Sequence, residues 1–111
     1  MTHREYFEET FKDYSKKYYD KALKELNLKL EKTEEIEKMP ASVNHPEYEH
    51  SLTEIKLHLI GTKGEIDYFR ISIDEERLAD DLDSYMIRDT LWHLARELEL
   101  LMKFNEHLKE N

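Results

Sequence analysis

The sequence predicts an α+β fold, with a long N-terminal helix, a β-hairpin, then one long or two C-terminal helices (α-β-β-α). Three observations predict it. Apolar residues recur at three- and four-residue steps near both ends of the chain, the period of a single helix face. Across the middle, around residues 53–73, apolar and polar residues alternate, the period of a strand with one covered face. Breakers are scarce: 111 residues include two Gly and two Pro, while charged and apolar residues each make up 39%. That mix favours long helices over disorder, and the length suits one domain, residues 1–111.

The first helix is expected over about residues 3–38. Thr2 and Glu5 have the spacing of a capping box. Phe7, Phe11, Tyr14 and Tyr18 follow at steps of four, three and four, a stripe expected to be buried while Lys16, Lys17 and Lys24 stay in solvent. The stripe then changes phase, passing to Ala22, Leu26 and Leu30 or equally to Tyr19, Leu23, Leu26 and Leu30. Such a stutter is tolerated by a straight or locally unwound helix. Met39-Pro40 ends the helix, because a residue before proline avoids the α region. Residues 40–51, with both prolines, read as a loop.

In the hairpin, Ile55, Leu57 and Leu59 face one way, as do Phe69, Ile71 and Ile73, with Gly61-Thr62-Lys63-Gly64 as the turn. Matching apolar to apolar pairs Ile55 with Ile73, Leu57 with Ile71 and Leu59 with Phe69. Lys56, His58, Ile60, Tyr68 and Arg70 then share the other face. A two-stranded sheet is marginal alone in water, so its apolar face must lie on the helices.

Asp74 is a candidate cap for the tail, with Glu75 and Glu76 in the first turn, where acids suit the helix dipole. Asp83-Ser84 is a second cap, and a break there is preferred, giving a short helix and then a long one from about residue 85. The reason is that the regular seam starts only at Ile87. Ile87, Leu91, Leu94, Leu98, Leu101, Asn105 and Leu108 have a/d spacing, and Asn105 sits where a buried amide fixes register or partner number. Tyr85, Trp92, Ala95 and Met102 make a second stripe, so this helix needs two neighbours. The seam is either core or the interface of a homodimer; in the second case Leu91, Leu94, Leu98, Leu101, Asn105 and Leu108 are the oligomerisation residues.

The absence of cysteine excludes disulfides and thiolate metal sites. The N-terminus leads into a charged amphipathic segment rather than an apolar signal core, and no run has the length and apolarity to cross a membrane. A cytoplasmic protein without membrane partners is expected. His93 and Glu97 lie one turn apart, and His45 and His50 flank one loop, but zinc needs a third ligand of defined geometry, so no metal or cofactor is expected. Lys16, Lys17, Lys21 and Lys24 interleave with tyrosines as in single-strand binders. A helix, however, leaves chiefly Tyr19 beside them, and direct nucleic-acid binding is not expected.

Net charge is −9, with −6 in residues 74–111. Such a balance repels nucleic acid and anionic lipid and attracts basic partners. It peaks at Asp74–Asp83, six acids against one arginine. With no phosphate loop and no nucleophile motif, the expected function is a small acidic non-catalytic protein-binding module. It would inhibit or regulate a basic protein partner, including a nucleic-acid-binding one, by occluding it. Asp74, Glu75, Glu76, Asp80, Asp81 and Asp83 would speed encounter, and Tyr85 would supply holding energy. Phage inhibitors, bacterial immunity proteins and antitoxins share this size and charge, an analogy of character only. Two alternatives stand beside it: a self-associating scaffold that dimerises through the C-terminal helix, and, less favoured, a metal-dependent nucleotide hydrolase using Glu34, Glu37, Asp80 and Asp83.

Overall fold

The computed structural model describes residues 1–40, 49–75 and 77–110. Its elements run α1 (His3–Tyr14), a π-helical turn (Ser15–Tyr19), α2 (Asp20–Leu26), β1 (Lys29–Pro40), β2 (Glu49–Gly61), β3 (Gly64–Asp74) and α3 (Asp81–Glu110). The class is α+β as expected, with one strand more than the sequence reading gave. The strands form an antiparallel sheet in the order β1-β2-β3. The helices cover one face of it.

Thr2 caps α1 as the sequence implies: its Oγ1 accepts from the Glu5 N–H and the Glu5 carboxylate accepts from the Thr2 N–H. The stutter is absorbed by the π-helical turn. One extra residue in that turn rotates the stripe, so Tyr19 is fully buried while Tyr18 is 41% exposed, the reverse of the expected pair. Phe7 is buried as expected, and Phe11 and Tyr14 are half-buried against the core. Lys16, Lys17 and Lys24 are exposed.

The expected 3–38 helix stops at Leu26. Asn27 takes the left-handed conformation (φ 55°), and the Leu28 N–H reaches back to the Leu23 carbonyl at 2.9 Å. This is a Schellman ending, in which a residue tolerant of positive φ closes the helix and two leucines meet across it. The chain then pairs with β2 along all of β1, from Lys29 opposite Ile60 to Pro40 opposite Glu49. The Glu and Lys residues that read as helix formers are here the polar side chains of an edge strand, a position where charge blocks unwanted pairing. The expected loop shrinks accordingly: residues 40 and 49–51 belong to strands, and 41–48, with His45, fall outside the described residues.

The hairpin faces are as expected but the register is not. Ile55 lies opposite Ile71, Leu57 opposite Phe69 and Thr53 opposite Ile73. Gly61 pairs with Gly64 around a two-residue turn, Gly64 takes φ 120°, and an irregularity at Leu59/Ile60 completes the shift. The apolar-to-apolar match assumed a longer turn. Because the offset is two residues, every side chain keeps its face.

The core joins Phe7, Tyr19 and Ala22 to Ile55, Leu57, Leu59, Ile71 and Ile73 of the sheet and to Ile87, Leu91, Leu94, Ala95 and Leu98 of α3. The far face of the sheet is polar and open. There Arg70 donates to Glu54 at 2.6 Å, and His58 joins Thr33 to Glu65. Among the described residues, no helix is long and apolar enough to cross a membrane.

Candidate functional site

The acidic segment 74–83 does not open a helix at Asp74, which is the last residue of β3. The cap lies at Asp80. Its Oδ1 accepts from the Asp83 N–H at 2.8 Å, and Asp83 Oδ2 accepts in return from the Asp80 N–H at 3.3 Å. This reciprocal arrangement starts one unbroken helix, Asp81–Glu110, so the break expected near residue 83 is absent. The pull of that capping pair outweighs the later start of the regular seam.

Several of the acids are spent on the fold. Glu75 accepts from Arg4 at 2.6 Å and from the Thr53 hydroxyl at 2.8 Å, and Arg4 also reaches Glu34 at 2.9 Å. Arg4 thus ties α1 to β1 and to the end of β3. Its hydrogen bonds hold both carboxyls below the usual range against the opposing effect of burial. Asp83 is claimed by His3 at 2.8 Å and by Arg77 at 3.6 Å. Burial pushes Asp83 up, but the bonds from His3 and the Asp80 main chain and the nearby charges prevail, and it stays below the usual range. Glu76 lies outside the described residues. Asp80 and Asp81 are exposed.

Buried His3 and half-buried Asp83 form a pair in which both ring nitrogens are engaged within the fold. The Asp74 N–H donates to His3 Nδ1 at 3.2 Å, so the ring proton belongs on Nε2, which donates to Asp83. The pair holds the N-terminus against residues 77–79, where His3 and Ala79 exchange main-chain bonds with Arg77 and Met1.

His93 and Glu97, weighed in the sequence as a metal pair and set aside, turn to different partners. His93 pairs with Asp89 at 3.3 Å, and Glu97 turns to Asp67 of β3. Burial, then the hydrogen bond and charge of Asp67, push Glu97 up to about 7. Among the described residues no three His, Asp or Glu converge on a metal position. Glu34, proposed as one of a helical carboxylate set, stands on β1 in the grip of Arg4.

The seam divides. Ile87, Leu91, Leu94 and Leu98 are buried within the chain, so Leu91, Leu94 and Leu98 present no surface to a second subunit. Leu101 and Asn105 are half-buried and Leu108 is 57% exposed. Of the apolar groups left outside, sequence reasoning named Tyr85 as a partner contact, placed Trp92 in a second stripe and expected Tyr18 to be buried. Tyr18, Tyr85 and Trp92 are exposed, and Tyr18 meets Trp92 edge-on at 5.6 Å. Tyr14, Tyr85 and Trp92 line a groove between α1 and α3. Their signal in the sequence was the second stripe, Tyr85–Trp92. Comparison with family models, with curated proteins and with solved structures found no match.

Proposed function

We propose that this protein is a non-catalytic binding module that captures a basic protein partner at the head of α3. The observation that carries the reading is the exposure of Tyr85 (58%) and Trp92 (41%), with Tyr18, on the helix that begins at exposed Asp80 and Asp81. Tyr and Trp are the residues that most often dominate binding energy when buried at an interface. Acids at the margin steer a basic partner into place and fix its orientation. The mechanism is occlusion: the partner's basic surface is covered. The spent acids, Glu75 and Asp83, stay within the fold, so the surface proposed is narrower than the whole acidic segment.

The test is capture of a partner by the immobilised full chain, followed by measurement of its kinetics with purified components. Tyr85→Ala and Trp92→Ala are expected to speed dissociation, each by tenfold or more if it removes about 2 kcal/mol. A captured partner that is acidic, or one that binds both variants as it binds the wild type, overturns the reading.

A further inference from the structure

The π-helical turn that carries Tyr19 inward also shapes a second groove, on the side of Trp92 away from Tyr85. Tyr18, turned outward by the extra residue, stands edge-on to Trp92 at 5.6 Å, and both rings line this groove. Small residues line it from each helix: Ala22 of α2 and Ala95 of α3 are buried, and neither is large enough to fill the space between them. Half-buried Met102 continues the apolar lining along α3 with a side chain that adapts to what it touches. The groove has a volume of about 320 Å³, within the range of about 300–1,000 Å³ in which small-molecule sites fall. Such sites are mostly apolar, with a few polar groups that fix the orientation of the ligand.

Here the fixing groups are cations. Lys17 and Lys21, four residues apart, both line the groove and are 59% and 86% exposed. Their contacts with Asp13 at 3.1 Å and Glu25 at 4.0 Å are surface pairs, which water and other ions readily replace. Glu99, the acid among the lining residues, is held by Lys103 at 3.1 Å and by Arg96 at 3.2 Å. Lys17, Lys21, Arg96 and Lys103 thus stand against Asp13, Glu25 and Glu99, a balance of +1 in a chain that carries −9.

We propose that this groove binds a small amphipathic carboxylate, with its apolar chain laid over Ala22, Ala95 and Met102 beside the Tyr18 and Trp92 rings and its head group between Lys17 and Lys21. Charge selects among apolar occupants: a carboxylate answers the two ammonium groups, whereas a cationic head meets them as like charge. The site goes beyond the partner surface at the head of α3 and does not rest on it, since the ligand is bound with no partner present.

Trp92 is the only tryptophan of the chain, so its emission reports this groove directly. The full chain is titrated with sodium decanoate below its micelle concentration and, in parallel, with decyltrimethylammonium, which has the same chain length and the opposite charge. The expected result is a saturable change in Trp92 emission with decanoate, at an affinity at least tenfold above that of the cation. Lys17→Gln/Lys21→Gln, an exposed double substitution with an unchanged circular dichroism spectrum, should weaken decanoate tenfold or more and leave the cation no weaker. Absence of a saturable change with decanoate, equal affinity for the two charges, or decanoate binding that is the same in the double variant overturns the inference.

Discussion

Tyr19 donates its hydroxyl to the main-chain carbonyl of Leu91 at 2.6 Å, inside the core. The bond links the π-helical turn to the middle of α3, and burial, reinforced by Tyr14, pushes the phenol well up, so it stays a neutral donor. The turn exists to make this contact: one extra residue brings Tyr19 inward where a regular helix would present Tyr18. Tyr19→Phe is expected to cost about 0.5–1.5 kcal/mol, nearer the lower end because a helix carbonyl keeps its own i+4 partner. Urea denaturation checks it. Tyr19→Ala, which also empties the site, should cost about 3–5 kcal/mol.

A second prediction concerns His3. His3→Ala leaves the Asp74 N–H and the Asp83 carboxylate without their ring partner and loosens the N-terminal clamp on residues 77–79. A loss of about 1–3 kcal/mol is expected from the two lost hydrogen bonds and the loosened clamp. Hydrogen exchange should show the loss of protection first at the Ala79 amide, which donates to Met1.

Glu97 sets the pH dependence above the ordinary carboxylate range. Its folded value of about 7 lies above the unfolded one, so between these values the folded state holds more protons. Stability therefore falls as pH rises from about 4.5 to 7, then levels off. Glu97→Gln, which imitates the protonated acid, should flatten that slope in denaturation curves taken at pH 5 and pH 7.5.

Below that range the sign reverses. Glu34 and Glu75, held down by Arg4, contribute stability that is present above about pH 4.3, the usual Glu value, and is lost as pH falls through their lowered folded values. Arg4→Met should remove this acid sensitivity, leaving a shallower decline between pH 5 and pH 3 in thermal melts.

What the sequence made legible follows from period. The inward faces of β2 and β3 and the Ile87–Leu98 seam come from regular apolar spacing that the core enforces, and the Thr2–Glu5 cap from its own three-residue motif. β1 was hidden because residues 31–36 of this edge strand are exposed and need no apolar period: Glu31, Glu34, Glu35 and Lys32 are good helix formers that became strand by pairing with β2. Asn27 was the signal passed over. The acids of 74–83 were visible as charge, but Arg4 and His3, far away in sequence, decide which of them remain at the surface. Exposure of Tyr85 and Trp92 depends on how the first helical segment lies against α3, and that is a tertiary fact.

The most direct test of the partner-capture reading is the association rate of the captured partner with Asp80→Asn/Asp81→Asn at low and high salt. Asn keeps the cap at residue 80, so the fold should be retained. The expected result is slower association and a flatter dependence on salt, with dissociation little changed, since exposed acids act chiefly on encounter. An unchanged rate and salt slope would contradict the assignment of the head of α3 as the partner surface.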